Sequence, residues 1–282
     1  MTPCLPRLLM SGPFFGLAKR PASTAVVFTL GDLAVRVTSE HTNATIWDAD
    51  ILIWAISALK ATRYRNDLPP GRFRETRHAL LAFLGRTASG GQYERLPAAL
   101  DRLATTRVTI TPGTASSRAV SFTWLSEWSH RGGVIELRIA DWLRDAALAP
   151  RAVLALDPRY FALKGGLERR LYLLARRHAG RQPGGWSFDL AHLRRKTGIA
   201  PSVRDFPAAV ARIVRRQSLP GYRLTLEGRD ARVRLHFRPE TAWLPASPVD
   251  NSVDNLWAGC GEVGPARLST AKSTPIAVNW SL

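Results

Sequence analysis

Shifted by 110 positions, this chain lies over itself without gaps, and no other feature narrows its possible folds so far. The run from Tyr93 to Leu103, YERLPAALDRL, falls on the run from Val203 to Ile213, VRDFPAAVARI, and Pro97, Ala98, Ala99 and Arg102 are identical to their partners. Apolar positions 93, 96, 100 and 103 fall on 203, 206, 210 and 213. Upstream, Leu80 falls on Leu190, Arg86 on Lys196 and Thr87 on Thr197. Chance likeness between two alanine-rich amphipathic helices would account for the apolar period. The identities and the shared upstream register favour two copies of one unit.

The second copy, Asp189 to Arg216, reads as helix, tight turn, helix. Its first helix ends at Thr197-Gly198, where glycine accepts the left-handed position. Pro201-Ser202 restarts the chain, with Ser202 as N-cap of a helix over 202–216. Val203, Phe206, Val210, Ile213 and Val214 form its buried stripe, leaving Arg204, Asp205, Arg212, Arg215 and Arg216 opposite. Two strands follow, Tyr222 to Leu226 and Ala231 to Phe237, around Glu227-Gly228-Arg229-Asp230. Val233, Leu235 and Phe237 alternate with Arg232, Arg234 and Arg238, so one face is apolar and the other cationic. A helix pair with a basic second helix and a basic hairpin is the layout of a helix-turn-helix with a wing, the second helix suited to the major groove. In the first copy the pair is Arg77 to Leu84 and Gln92 to Ala104. Pro97 and Pro207 sit past the first turn of helices starting at Gln92 and Ser202, so the helices either start later or bend.

A chain of 282 residues suits two domains. Its charge is lopsided: 40 Lys+Arg against 22 Asp+Glu gives +18, and nearly all the cations are arginine. Arginine's planar fork fits phosphates and guanine edges, which makes nucleic acid the first partner to consider. A GC-rich genome or a solvated arginine face would produce the same composition. Cys4 and Cys260 form no CxxC and no Cys/His cluster, which argues against a metal site or a disulfide framework and fits a reducing cytoplasm. No apolar run approaches transmembrane length, so no membrane partner is expected, and the proline-broken start lacks a signal-peptide core.

The expected organisation is an irregular N-terminal segment over 1–25, a first domain over 26–150, a second over 151–239 and a disordered tail over 240–282. Val26 to Leu30 and Leu33 to Thr38 read as a hairpin, and Asp48 as the cap of a helix carrying Ile51, Leu52, Ala55, Ile56 and Leu59. Phe73 to Thr76, Arg107 to Thr111, Val120 to Trp128 and Val134 to Ile139 read as strands, the last three supplying the sheet and wing of the first unit. Asp141 to Ala147 reads as a short helix. In the second unit Leu167, Leu171, Leu174, Ala175 and His178 form the buried stripe of a helix, with Arg169, Arg170, Arg176 and Arg177 outside.

Searches for chemistry find nothing specific. Gly85 to Gln92 has the GxxxxG spacing but lacks the lysine and hydroxyl of a phosphate loop, and it follows a helix. The six histidines form no HxH or HExxH pair. Asp48 and Asp50 read as capping and solvated residues rather than metal ligands. The expectation is no catalytic residue, no metal and no cofactor. Trp124 and Trp128 read as core rather than as base-stacking platforms, and Tyr93 as core as well.

In FFGLAKRP, ATIWDADILIWAISAL, GGQYERLPAALDRLATTRV, LDPRYFALKGGLERRLYLLARRHAG and RLTLEGRDARVRLHFRP, over residues 12 to 239, the chain resembles the replication initiator protein A family of bacterial plasmids. That resemblance implies an α+β protein of two tandem winged-helix domains that binds direct repeats in double-stranded origin DNA. It implies contact with a host initiator and the replicative helicase, and a cytoplasmic, plasmid- or nucleoid-associated location. It also implies a homodimer through the first domain and DNA reading mainly by the second. The candidate DNA-binding residues are then Arg204, Arg212, Arg215 and Arg216 on the second helix, and Arg194, Arg195, Lys196, Thr197 and Ser202 at the turn. Arg229, Arg232 and Arg234 are the candidates in the wing, and Arg86, Thr87, Gln92, Arg95 and Arg102 in the first copy. A transcriptional repressor of the same fold and a DNA-nicking replication enzyme are the competing readings.

Overall fold

Local signals place most of the second copy. In the computed structural model, which describes residues 1–61, 68–69, 71–113, 118–180, 182–199, 204–228 and 233–240, Asp189 caps a helix over Leu190–Thr197 by accepting the His192 amide at 2.7 Å. Gly198 ends that helix at φ 74, and a Cβ there would stand 2.6 Å from Pro13 Cβ, so both backbone angle and space call for glycine. The chain divides into two units, Met1–Ala246 and Ser247–Leu282, and every described residue belongs to the first.

Each copy runs helix, strand, helix, helix, strand, strand. The first comprises α2 (Ala49–Lys60), β4 (Arg72–Thr76), α3 (Arg77–Phe83), α4 (Gly90–Thr105), β7 (Leu125–Arg131) and β8 (Val134–Ile139). The second comprises α6 (Gly166–His178), β10 (Trp186–Asp189), α7 (Leu190–Thr197), α8 (Phe206–Arg216), β11 (Tyr222–Glu227) and β12 (Arg234–Pro239). Their antiparallel sheets share one order, β4-β8-β7 and β10-β12-β11. In each, the central strand is the last to be made. Phe206, Val210 and Ile213 of α8 lie buried with Leu193 of α7 and with Leu224, Leu235 and Phe237 of the sheet. Each such side chain contributes about 1.5–3 kcal/mol on burial. Gln217 leaves α8 at φ 48, and its amide accepts from the Leu224 amide at 2.9 Å and donates to the Leu224 carbonyl at 2.8 Å, clamping helix to strand.

The two prolines resolve differently. Helix α8 begins at Phe206, three residues later than a cap at Ser202 would require, so Pro207 sits in the first turn, where a missing N–H costs nothing. Ser202 lies outside the described residues. Helix α4 begins at Gly90 and carries Pro97 in its interior.

Several expectations are corrected. Residues 1–25 are not simply irregular: β1 (Cys4–Pro6) pairs with β9 (Val153–Ala155), and α1 (Arg7–Ser11) packs on α6. Phe14 and Phe15 of this segment meet the Trp124 ring, at 5.7 and 4.9 Å between centroids. The run Val120 to Trp128 is two strands in two sheets. It breaks at the fully buried Trp124, whose amide donates to the Leu103 carbonyl and whose carbonyl accepts from Ala140. Before the break, β6 (Val120–Thr123) joins β5 (Arg107–Pro112) in a separate sheet with β2 (Val26–Leu30) and β3 (Leu33–Thr38), in the order β2-β3-β5-β6. Of the run 107–139, only β7 and β8 therefore join β4 in the first unit's three-stranded sheet. The short helix expected over Asp141 to Ala147 is present as α5 (Asp141–Leu148), after β8.

Helix α6 is buried nearly all round. Arg169, Arg170 and Arg176 are 2%, 2% and 4% exposed, so the side read as its outer face is interior. Neither Asp48 nor Asp50 is solvated, and Asp48 makes no side-chain cap. His178 is a core histidine, stacked on Trp186 and edge-on to Phe188, and its Nε2 is closed off without a hydrogen-bond partner. Burial pushes its pKa down to about 3, with Arg177, Lys196, Arg170 and His192 acting the same way. On unfolding below pH 6.5 this imidazole takes up a proton that the fold refuses, so its contribution is intact above 6.5 and lost as pH falls towards 3. Unfolding free energies from urea titrations at pH 7.5 and pH 5 should therefore differ by about 1–2 kcal/mol more in the parent than in His178→Phe.

Candidate nucleic-acid interface

The exposed face of α8 follows from its period. With 206, 210 and 213 inward, Ala208, Arg212 and Arg215 fall on the outer side and are exposed, as is Arg216 beside them. Arg204, in the turn just before the helix, extends the row. None of these four arginines meets a carboxylate within ion-pair distance among the described residues. On α7, Arg195 is exposed and Arg194 and Lys196 are half-buried. Burial holds the Lys196 amine below its usual range, with Arg170 and Arg177 adding to the effect. Thr197 is buried, its hydroxyl donating to the Arg194 carbonyl at 2.7 Å. Arg234 is exposed on β12, opposite Glu227 of β11 and Asp189 of β10. Arg229 and Arg232 lie outside the described residues.

The first copy is built from the same residue types and spends its charge differently. Asp48 and Asp50, at the start of α2, face inward and are 3% and 0% exposed. Arg102 of α4 grips Asp48 with both ends of its fork, Nε to Oδ2 at 2.8 Å and Nη2 to Oδ1 at 2.7 Å. Arg86, in the α3–α4 connection, donates to Asp50 Oδ2 at 2.6 Å and to the Trp47 carbonyl at 3.0 Å. Thr87 and Arg95 are exposed, and Gln92 is half-buried. Tyr93 is half-buried, with the Arg77 guanidinium 5.0 Å over its ring.

Two further exposed arginines belong to the second copy's surface. Arg223 and Arg238 face each other across β11 and β12, with His236 on the same side. Arg238 was legible from the alternation in β12; Arg223 carries the same period-two signal one strand earlier. Like charges opposed on a sheet repel, so this pair favours an anionic neighbour. Among the described residues no three His, Cys, Asp or Glu side chains gather as a metal site, and no helix is long and apolar enough to cross a membrane.

A family model described as replication initiator protein A matches residues 7–224. A protein of Wigglesworthia glossinidia brevipalpis, named provisionally as a replication protein, is 27% identical over 227 residues, 76% of this chain and 82% of that one. A crystal structure of domains 2 and 3 of RctB shares the fold, with TM-score 0.64 at 15% identity over 84% of this chain and 99% of that one. A second RctB structure of the same domains gives 0.57 at 14% identity, over 82% and 96%.

Proposed function

Because this chain belongs to the replication initiator protein A family, we propose that it acts without catalysis, as an initiator that binds repeated sites in double-stranded origin DNA and helps bring host replication machinery to them. On this reading each copy is a winged-helix unit, with α8 as the principal reading helix and β11–β12 as its wing. The observation that carries the reading is the charge asymmetry between the copies. At the repeat-equivalent position Glu94 is replaced by Arg204, and Arg102, neutralised by Asp48, is replaced by the exposed Arg212. A cationic helix face next to a cationic hairpin supplies the phosphate contacts that hold a protein on duplex DNA, and arginine forks supply the base contacts that fix sequence.

A footprint of the purified protein on the DNA flanking its own gene, at physiological salt, tests this. Several protected direct repeats, each about two helical turns long, are expected if both copies engage. A single protected palindrome at a promoter would make the protein a repressor, and uniform salt-sensitive coverage would reduce the cationic face to general attraction.

A further inference from the structure

The two helix-turn-helix turns are joined through the interior of the molecule. At one end, Arg86 of the α3–α4 connection donates to Asp50 Oδ2 at 2.6 Å. The other oxygen of the same carboxylate, Oδ1, accepts from Arg169 Nη1 at 2.7 Å, across 119 positions of sequence. Arg169 is further held by the carbonyls of Leu163 and Phe161, both at 2.9 Å, and stacks over Tyr160 at 5.0 Å. The next residue of α6, Arg170, donates to the Lys196 carbonyl through Nε and Nη2 at 3.0 and 2.8 Å, and to the Met10 carbonyl at 2.8 Å. Lys196 is the residue on which Arg86 falls in the internal repeat. The connection therefore runs between equivalent points of the two copies.

One buried and one half-buried guanidinium on a buried carboxylate are an expensive way to hold helices together, since apolar packing of similar volume serves stability as well. What directional charge-assisted bonds add is a fixed geometry. Burial drives the Arg170 pKa down to about 9, so it is still charged at neutral pH and binds the α7 terminus as a cation. It thereby also offsets the negative end of the helix.

We propose that Asp50 is a positioning residue that fixes the separation and rotation between the two DNA-reading turns, and so sets the spacing of the two half-sites the protein accepts. This rests on the DNA-binding reading above. Its structural part can be tested without DNA. Nitroxides at Ala98→Cys and Ala208→Cys, exposed and repeat-equivalent positions, in a Cys260→Ser background, report the distance between α4 and α8 by pulsed electron resonance; Cys4 is buried. In Asp50→Asn the distance distribution should broaden at least twofold. Arg86→Gln leaves the Asp50–Arg169 pair intact, keeps the fold if the first variant does not, and should broaden it less.

The functional part uses unlabelled protein and a 40-bp duplex that the parent selects from a randomised pool, resynthesised with 2, 4 or 6 bp inserted at its centre. The parent should prefer its native spacing over the 4-bp insertion by about tenfold or more, and both variants should reduce that preference to within about threefold. A mere loss of a DNA contact at Arg86 would instead weaken binding equally at every spacing. Unchanged distances, or broadened distances with the parent's spacing preference intact, would overturn the proposal. If the parent selects no site, the DNA-binding reading fails, while the nitroxide distances still decide whether Asp50 couples the copies.

Discussion

Replacing Asp50 with alanine should lower the unfolding free energy by about 3–5 kcal/mol in urea titrations. The loss comes less from the missing carboxylate than from what it strands. The Arg169 side chain is 3% exposed and cannot turn to water, and without Asp50 it would face the Arg86 guanidinium that shared the same carboxylate. The same argument predicts a rescue. Asp50→Leu combined with Arg86→Met and Arg169→Met removes all three charges while keeping the volume roughly filled. It should recover most of the lost stability, because apolar packing replaces a buried ionic group at little net cost. A triple variant as unstable as Asp50→Ala would mean that the carbonyls of Leu163 and Phe161, left without the guanidinium, outweigh the charges.

The second large effect concerns the outer face of α8. Combined Arg204→Ala, Arg212→Ala and Arg215→Ala should weaken duplex binding by roughly 100-fold or more. The slope of log affinity against log salt should fall by about three, close to one per lost phosphate contact. Arg95→Ala on α4 should leave both quantities nearly unchanged, since Glu94 and Asp101 accompany it on that helix. Equal losses from the two sets would place the main reader in the wrong copy. The three substituted side chains are exposed and make no ion pair among the described residues, so thermal unfolding should hardly move.

How much of this was legible depended on distance along the chain. The end of α7 at the left-handed Gly198 and the β11–β12 alternation are decided by neighbours a few residues away, and each appears where periodicity and turn chemistry put it. Asp50 reads as solvated because nothing nearby in sequence accounts for it; its partners come from 36 and 119 positions away. The arginines of α6 mislead for a related reason. An amphipathic period assigns charge to the outside, and this helix has almost no outside, since α1, β9 and α7 surround it. The run Val120 to Trp128 looks like one strand because both of its halves favour β structure. What splits it is Trp124, held by Leu103 and Ala140 and by the rings of Phe14 and Phe15, none of which local propensity registers. Of the candidate interface, the second copy was the more readable half, because exposed cations on a clean helical period need no distant partner to be interpreted.

The pairing of β1 with β9 bears on the order in which the chain is made. Cys4 meets Ala155 and Pro6 meets Val153, so β1 has its strand partner roughly 150 residues behind it in synthesis. At about 5–20 residues per second that is a wait of roughly 10–30 s. During it the apolar Leu9 and Met10 of α1, both buried in the finished molecule, have no α6 to cover them. The first copy can form its helices and its sheet in that interval, and β1 can settle against α2, but α1 stays uncovered until α6 is made. Slowing translation just after residue 150 should prolong the exposure of this segment to chaperones and proteases, whereas a pause once α6 has cleared the ribosome should not.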